Sequence, residues 1–336
     1  MRRQFLKASA ALAVTACLPG LSYGKAGKLP RLILSGPHAA VSNPFYRMVE
    51  TGALRDVAEV VEIRPWKDPD QLRALVLDPK SPAHFVAMPT NVAANLYNRG
   101  VRLKLANVAT WGVLFMVSRQ AGLRTLADFR GKEIVLPFRG DMPDIVFQML
   151  ARRQGLDPAR DFRLRYVGSP LDAMQLLVTR RADHALLAEP AASVALRKTK
   201  SFPVSIIAPE LYRSVDLQAE WGRVLKRPPR IPQAGIVAMG AALDQPGLVQ
   251  QVQQAYAGAL QWCEQNPEAC GKLVAGQVGM LTPEGVADSV RVDNATFVTA
   301  ADARTELDFF FRLLAGQQPG LIGGKLPDAG FYLGSS

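Results

Sequence analysis

Residues able to recognise a small ligand cluster in four short stretches, SGPHAAVSN, MPTN, PFRGDMPD and AEP. In PFRGDMPD, Arg139 offers a planar five-donor fork suited to carboxylate, sulfonate or phosphate. Gly140 beside it lets a backbone approach a ligand closely, and Asp141 and Pro143 start a helix. The competing role for Arg139 is to reach into solvent or pair with Asp141 or Asp144. In AEP, Glu189 precedes a helix opened by Pro190. It can contact an amine, support a residue across a cleft, or favour the helix dipole. Ser35 and Gly36 end a predicted strand, with Asn43 placed to cap the helix that follows. Thr90 and Asn91 stand where another helix begins, free to reach a ligand or merely to cap. Trp111 and Phe138 are candidate aromatic walls, and Gln233 a candidate amide donor. Trp66 and Trp221 fit that role too, but aromatics at such places more often belong to the core.

Reaction chemistry is sparse. His38, His84 and His184 are far apart and lack Cys or carboxylate partners at metal-ligand intervals, so no metal or cofactor is expected. There is no G-x-S-x-G elbow. GLIGGKL (Gly320–Leu326) has the wrong Gly–Lys spacing for a phosphate loop, and Leu326 stands where Ser or Thr should be.

The elements that must position these residues are α/β in pattern. Short apolar β-rich runs (31–35, 57–64, 84–88, 103–109, 113–118) alternate with helical stretches (44–51, 69–77, 91–98). The pattern restarts with strands over 133–137, 162–167, 184–188 and 205–208 and helices over 141–153 and 170–180. After a strand over 234–239 the chain reads as almost all helix: 246–265, 267–277, 283–292 and 300–314. Near-continuous apolar strands between helices imply mostly parallel sheets with both faces covered. The apolar tail around FFFRLL must pack on something, and a return to the first unit is the economical solution. The expected organisation is therefore lobe 1 over 29–112 plus 234–336 and lobe 2 over 113–233. Crossings fall near Trp111–Val113 and Ile231–Gly235, and a ligand cleft lies between the lobes.

The 336 residues open with MRRQFLKASAALAVTAC, a basic start followed by an apolar run too short to span a bilayer. R-R-Q-F-L-K has the form of the twin-arginine export motif; an ordinary Sec signal is the alternative. Residues 1–26 are expected to be an export signal, giving a periplasmic product. Val14–Cys17 also resembles a lipobox, which would make Cys17 a lipidated first residue. The formal net charge of +11 suits anionic partners, but the charges are spread along the chain without aromatic interleaving, so nucleic-acid binding is not expected. Cys263 and Cys270, in WCEQNPEAC, form either a disulfide across a tight helical turn or two buried thiols.

Several strings resemble the type II periplasmic solute-binding proteins of the nitrate/sulfonate/taurine (SsuA/TauA-like) family. TLADFRGKEIVLP (125–137) is similar to the segment that opens their second lobe, and RRADHALLAEPAASVAL (180–196) to their "G-vDAa-l-EP" segment. MPTNVAANLYNRG (88–100) and WCEQNPEAC match first-lobe and helix-end segments; Arg181 replaces a frequent Gly. The resemblance implies a monomeric, non-enzymatic binding component of an ABC importer. Such a protein captures a small solute between its lobes, closes by hinge bending and delivers it to a membrane permease. Ser35, Gly36, Thr90, Asn91, Trp111, Phe138, Arg139, Gly140, Glu189 and Gln233 are the candidate ligand contacts. The basic charge and Arg139 lead us to expect an anionic organic solute. Two alternatives remain: an enzyme on the same fold, of the pyrimidine-precursor or menaquinone-pathway type, and a lipid-anchored sensor.

Overall fold

The computed structural model describes residues 28–202, 206, 210–245, 247–293 and 295–334. The export-like opening with Cys17, and most of the strand expected over 205–208, lie outside these residues.

The first unit runs β1 (Leu29–Gly36), α1 (Asn43–Glu50), β2 (Ala58–Pro65), α2 (Pro69–Leu77), β3 (Phe85–Pro89), α3 (Thr90–Asn98), β4 (Leu103–Leu105) and β5 (Asn107–Thr110). The second runs β6 (Leu114–Ser118), β7 (Glu133–Pro137), α4 (Met142–Arg153), α5 (Pro158–Asp161), β8 (Arg163–Val167), α6 (Pro170–Val178), β9 (His184–Ala188), α7 (Ala191–Lys200), β10 (Tyr212–Asp216) and α8 (Leu217–Leu225). The remainder is β11 (Ala234–Met239), α9 (Gly240–Leu243), α10 (Leu248–Gln265), α11 (Pro267–Gln277), α12 (Pro283–Val292), β12 (Ala295–Thr299) and α13 (Arg304–Gln317).

Helix starts follow local chemistry. Asp68, Asp141, Ser169 and Thr282 each accept a backbone N–H in the first turn of α2, α4, α6 and α12, and each of these helices carries Pro in that turn. The proline costs nothing there because the helix has no partner for that N–H.

Two sheets result. One has the order β12-β5-β11-β3-β1-β2, with β4 also on β11; the other has the order β10-β6-β9-β7-β8. β1, β2 and β3 pair in parallel, and β11 enters antiparallel to β3, β4 and β5. In the second sheet β7 is parallel to β8 and β9, while β6 runs antiparallel to β9 and β10. Each sheet therefore has a mostly common strand direction, interrupted where the chain crosses between lobes. The crossings lie side by side: Ile231 N donates to Trp111 O (2.6 Å) and Gln233 N to Thr110 O (3.0 Å).

The last third of the chain touches both units. Helix α12, assigned to lobe 1, packs on α7 of the second unit, where Arg197 pairs with Asp288 at 2.6 Å, while α11 lies between α12 and α1 of the first unit. Cys270, Val274, Val278 and Val286 share one apolar cluster with Met174, Leu177 and Val194. That burial outweighs chain continuity, and the chain returns to the first sheet only as β12, on β5. Strands β10 and β12 and helix α8 were not expected; both strands end a sheet and lack a continuous apolar run. The tail does reach the first unit, where Tyr97 meets Phe331 with ring centroids 5.3 Å apart. It also packs Phe310 against Trp221 of α8 (5.8 Å). Cys263 and Cys270 are joined by a disulfide, with Cα atoms 5.1 Å apart at the α10–α11 corner.

Candidate functional site: the interlobe cleft

The carboxyl ends of β1 and β3 face those of β7 and β9 across a cleft with two connected parts. The inner part is a cavity of about 70 Å³, walled by Val41, Met88, Leu114, Met142, Ala188 and their neighbours from both lobes. The outer part, about 540 Å³, is a vestibule bordered by His38, Lys67, Asp68, Ser169, Asp172 and Gln277. Pro37, Ala39, Trp66 and Phe138 line both and form the neck between them. Trp66 belongs to one lobe and Phe138 to the other, with ring centroids 6.1 Å apart.

The neck is held rigidly. Trp66 Nε1 donates to Ala87 O (3.1 Å), and its backbone N–H to Gly36 O (3.1 Å). Phe138 adopts φ 59°, a left-handed conformation that costs a residue bearing Cβ about 1–2 kcal/mol. Hydrogen bonds on both sides hold it there, Phe138 N to Val167 O (3.1 Å) and Asp141 N to Phe138 O (2.9 Å).

Of the candidate residues, Phe138 and Gln233 meet at the inner cavity. Gln233 Oε1 accepts from Val113 N (2.9 Å), which fixes the amide, while its Nε2 is buried without a hydrogen-bond partner. Asn91 and Gly140 border a different hollow of about 230 Å³, together with Arg73, Arg99 and Asp141. Gly140 N is already bonded to Asp144 Oδ2 (2.8 Å), and Asn91 Oδ1 is buried without a partner.

The other candidates line neither part of the cleft. Ser35 Oγ donates to Arg64 O (2.6 Å), and Gly36 passes so close to α1 that a Cβ there would sit 2.3 Å from Ser42 Oγ. Thr90 Oγ1 donates to Pro232 O (2.6 Å), tying α3 to a crossing. Trp111 is a buried pillar, donating to Thr296 O (2.9 Å) beneath the Arg230 guanidinium at 3.7 Å. Arg139 is exposed and lies over the Tyr166 ring at 5.1 Å, lining neither part of the cleft. Glu189 is fully buried against Arg213 (2.6 Å) and accepts from Ser193 N and Oγ, each at 3.1 Å. Burial raises its pKa against the pull of that arginine.

Sequence reasoning missed Arg213 and an ion pair between the lobes, Arg73 to Asp141 at 3.3 Å. Both pairings join residues distant in sequence, so no local spacing signals them. Burial lifts Asp141 to about 6, opposed by Arg73 and its own bond from Met142 N. His38, weighed in the sequence only as a metal ligand, borders the vestibule; its Nδ1 is buried without a partner, and burial and Lys67 lower its pKa. Among the described residues no group of three or more His, Cys, Asp or Glu is placed to hold a metal ion, and no helix is long and apolar enough to cross a membrane.

A two-lobed α/β body with paired crossings and a cleft between strand ends is shared with known structures. An ABC transporter protein from Parabacteroides distasonis superposes with TM-score 0.72 at 23% identity, over 91% of this chain and 100% of that one. The fold is that of the ABC-importer binding proteins. The alkanesulfonate-binding protein SsuA from Xanthomonas axonopodis pv. citri, bound to MOPS, gives TM-score 0.64 at 16% identity over 91% of this chain and 98% of that one. The periplasmic nitrate-binding protein NrtA from Synechocystis PCC 6803 gives 0.67 at 13%, over 86% of this chain and 82% of that one. No protein-family profile matches the chain, and no curated protein does. The binding-protein fold thus accounts for the cleft and its crossings, while identities this low leave the ligand to be argued from the cleft itself.

Proposed function

We propose that the chain is the extracytoplasmic solute-binding component of an ABC importer. It captures a small organic solute in the interlobe cleft and presents it to a permease, acting as a monomer in the periplasm after export. The observation that carries this reading is the cleft itself. Its walls come from both lobes, its neck from one aromatic of each, and Gln233, whose Nε2 is buried without a partner, lines its inner cavity. Walls drawn from both lobes let closure bury a ligand on all sides, the transition expected of this architecture. Arg139 lends no support to an anionic solute, because it lines neither part of the cleft.

The test is a thermal-shift screen of the chain without residues 1–26, against sulfonates, oxyanions, carboxylates, aromatic acids and amides, pyrimidines and polyamines. A ligand present at 100 times its dissociation constant adds about 2.7 kcal/mol. A shift whose ligand is recovered unchanged supports binding for import. Conversion of the ligand supports an enzyme instead, and silence across the panel counts against both.

A further inference from the structure

The chemistry of the inner cavity identifies the part of the solute it takes; this rests on the binding-protein reading above. We propose that the cavity holds an uncharged, largely apolar organic group with one hydrogen-bond acceptor, aimed at Gln233 Nε2. Any charge on the solute stays outside the Trp66–Phe138 neck.

Three observations carry this. No charged side chain lines the inner cavity, whose walls are aliphatic, aromatic and proline surface with Thr110 and Gln233 as the polar side chains. The charges nearest the cavity walls are paired with one another or lie outside the cavity. Glu189 is held by Arg213 at 2.6 Å, Asp141 by Arg73 at 3.3 Å, and Arg139 is turned onto Tyr166. An ion desolvated without a counter-charge is strongly disfavoured, so a buried nitrate, sulfate or sulfonate would lack compensation there. Finally, Gln233 Nε2 is a fixed, buried donor without a partner, because the other end of its amide is bound to Val113 N. A carbonyl or ring nitrogen satisfies it, and a hydrocarbon leaves it unmade. Charged groups begin in the vestibule, where Lys67, Asp68 and Asp172 can meet a polar end of the solute.

The experiment is calorimetric titration of the chain without residues 1–26 with benzamide, benzoate, nitrate, sulfate and methanesulfonate, on wild type and on Gln233→Glu. The variant keeps an oxygen to accept from Val113 N and loses the free donor once its carboxyl is ionised, so both proteins are titrated at pH 9. Benzamide is expected to bind at least about tenfold tighter than benzoate and than each small anion, and Gln233→Glu to weaken benzamide by at least about tenfold. The comparison of the two isosteres in wild type does not depend on the variant folding. Benzoate or a small anion binding as tightly as benzamide would overturn the ligand class and leave the binding-protein reading standing. No binding of benzamide would also overturn the class, and the broader panel then decides separately whether the cleft binds anything.

Discussion

Arg213 Nη1 lies 2.6 Å from Glu189 Oε1, so the carboxylate that ends β9 is neutralised inside the protein before it can face the cleft. Glu189 is fully buried, and Arg213 also rests on the Phe115 ring at 4.1 Å. The pair therefore couples the end of a central strand to the edge strand β10. Removing one partner of a buried pair leaves a desolvated charge, at a cost of about 3–5 kcal/mol. Arg213→Met is expected to lower the unfolding free energy from urea denaturation by that order at neutral pH. Burial already raises Glu189, so its folded form holds a proton more tightly than the unfolded chain, and stability should recover as the pH falls. A variant equally unstable at pH 5 and pH 8 would show that the charge is not the cause.

Asp141 gives a second pH dependence. Burial lifts it from an ordinary 3.8 to about 6, with Arg73 opposing and Asp144 adding to the shift. The folded state therefore binds this proton better than the unfolded state does. Its contribution is complete below pH 3.8 and is lost as the pH rises to about 6, a change of about 3 kcal/mol at most. Asp141→Asn keeps an oxygen to accept from Met142 N and removes the titration. Denaturation at a series of pH values should show this fall in wild type and a flatter profile in the variant.

Arg139 is the residue whose type most suggested an anion clamp, and its position argues for a minor role. An exposed guanidinium on an aromatic face contributes about 0.5–1 kcal/mol. Arg139→Ala should change stability by no more than that and leave affinity for any cleft ligand within about twofold. A loss of binding in calorimetry would return Arg139 to the site.

The Cys263–Cys270 bridge closes a short loop, with a sequence separation of 7. Its chain-entropy contribution is about 2–3 kcal/mol. The double Cys→Ser variant, or wild type in reductant, should melt correspondingly lower, with cleft affinity unchanged because the corner lies outside the cavity walls. If reductant changed affinity without changing the melting temperature, the bridge would be acting on the cleft and not on stability.

Local interactions made much of the fold legible in the sequence. Pro69–Leu77, Glu133–Pro137, His184–Ala188, Ala234–Met239, Pro267–Gln277 and Pro283–Val292 stand where periodicity and the proline starts put them. Hydrophobic repeat and helix capping act over a few residues, so they can be read along the chain. Strands β10 and β12 were hidden because a sheet edge asks for little apolar surface.

The site was less legible. The sequence by its own pattern placed Arg139 and Gly140 between a strand and a helix, and Gln233 at a crossing. Which groups line the cleft was settled by contacts between distant residues. The tertiary structure turned Arg139 onto Tyr166, locked Glu189 to Arg213, set Trp66 opposite Phe138 and left Gln233 Nε2 unpaired. It also laid α12 on α7 of the second unit, with α11 between α12 and α1. Side-chain direction, burial and ion pairing depend on contacts between residues far apart in the chain, and residue spacing carries no record of those contacts.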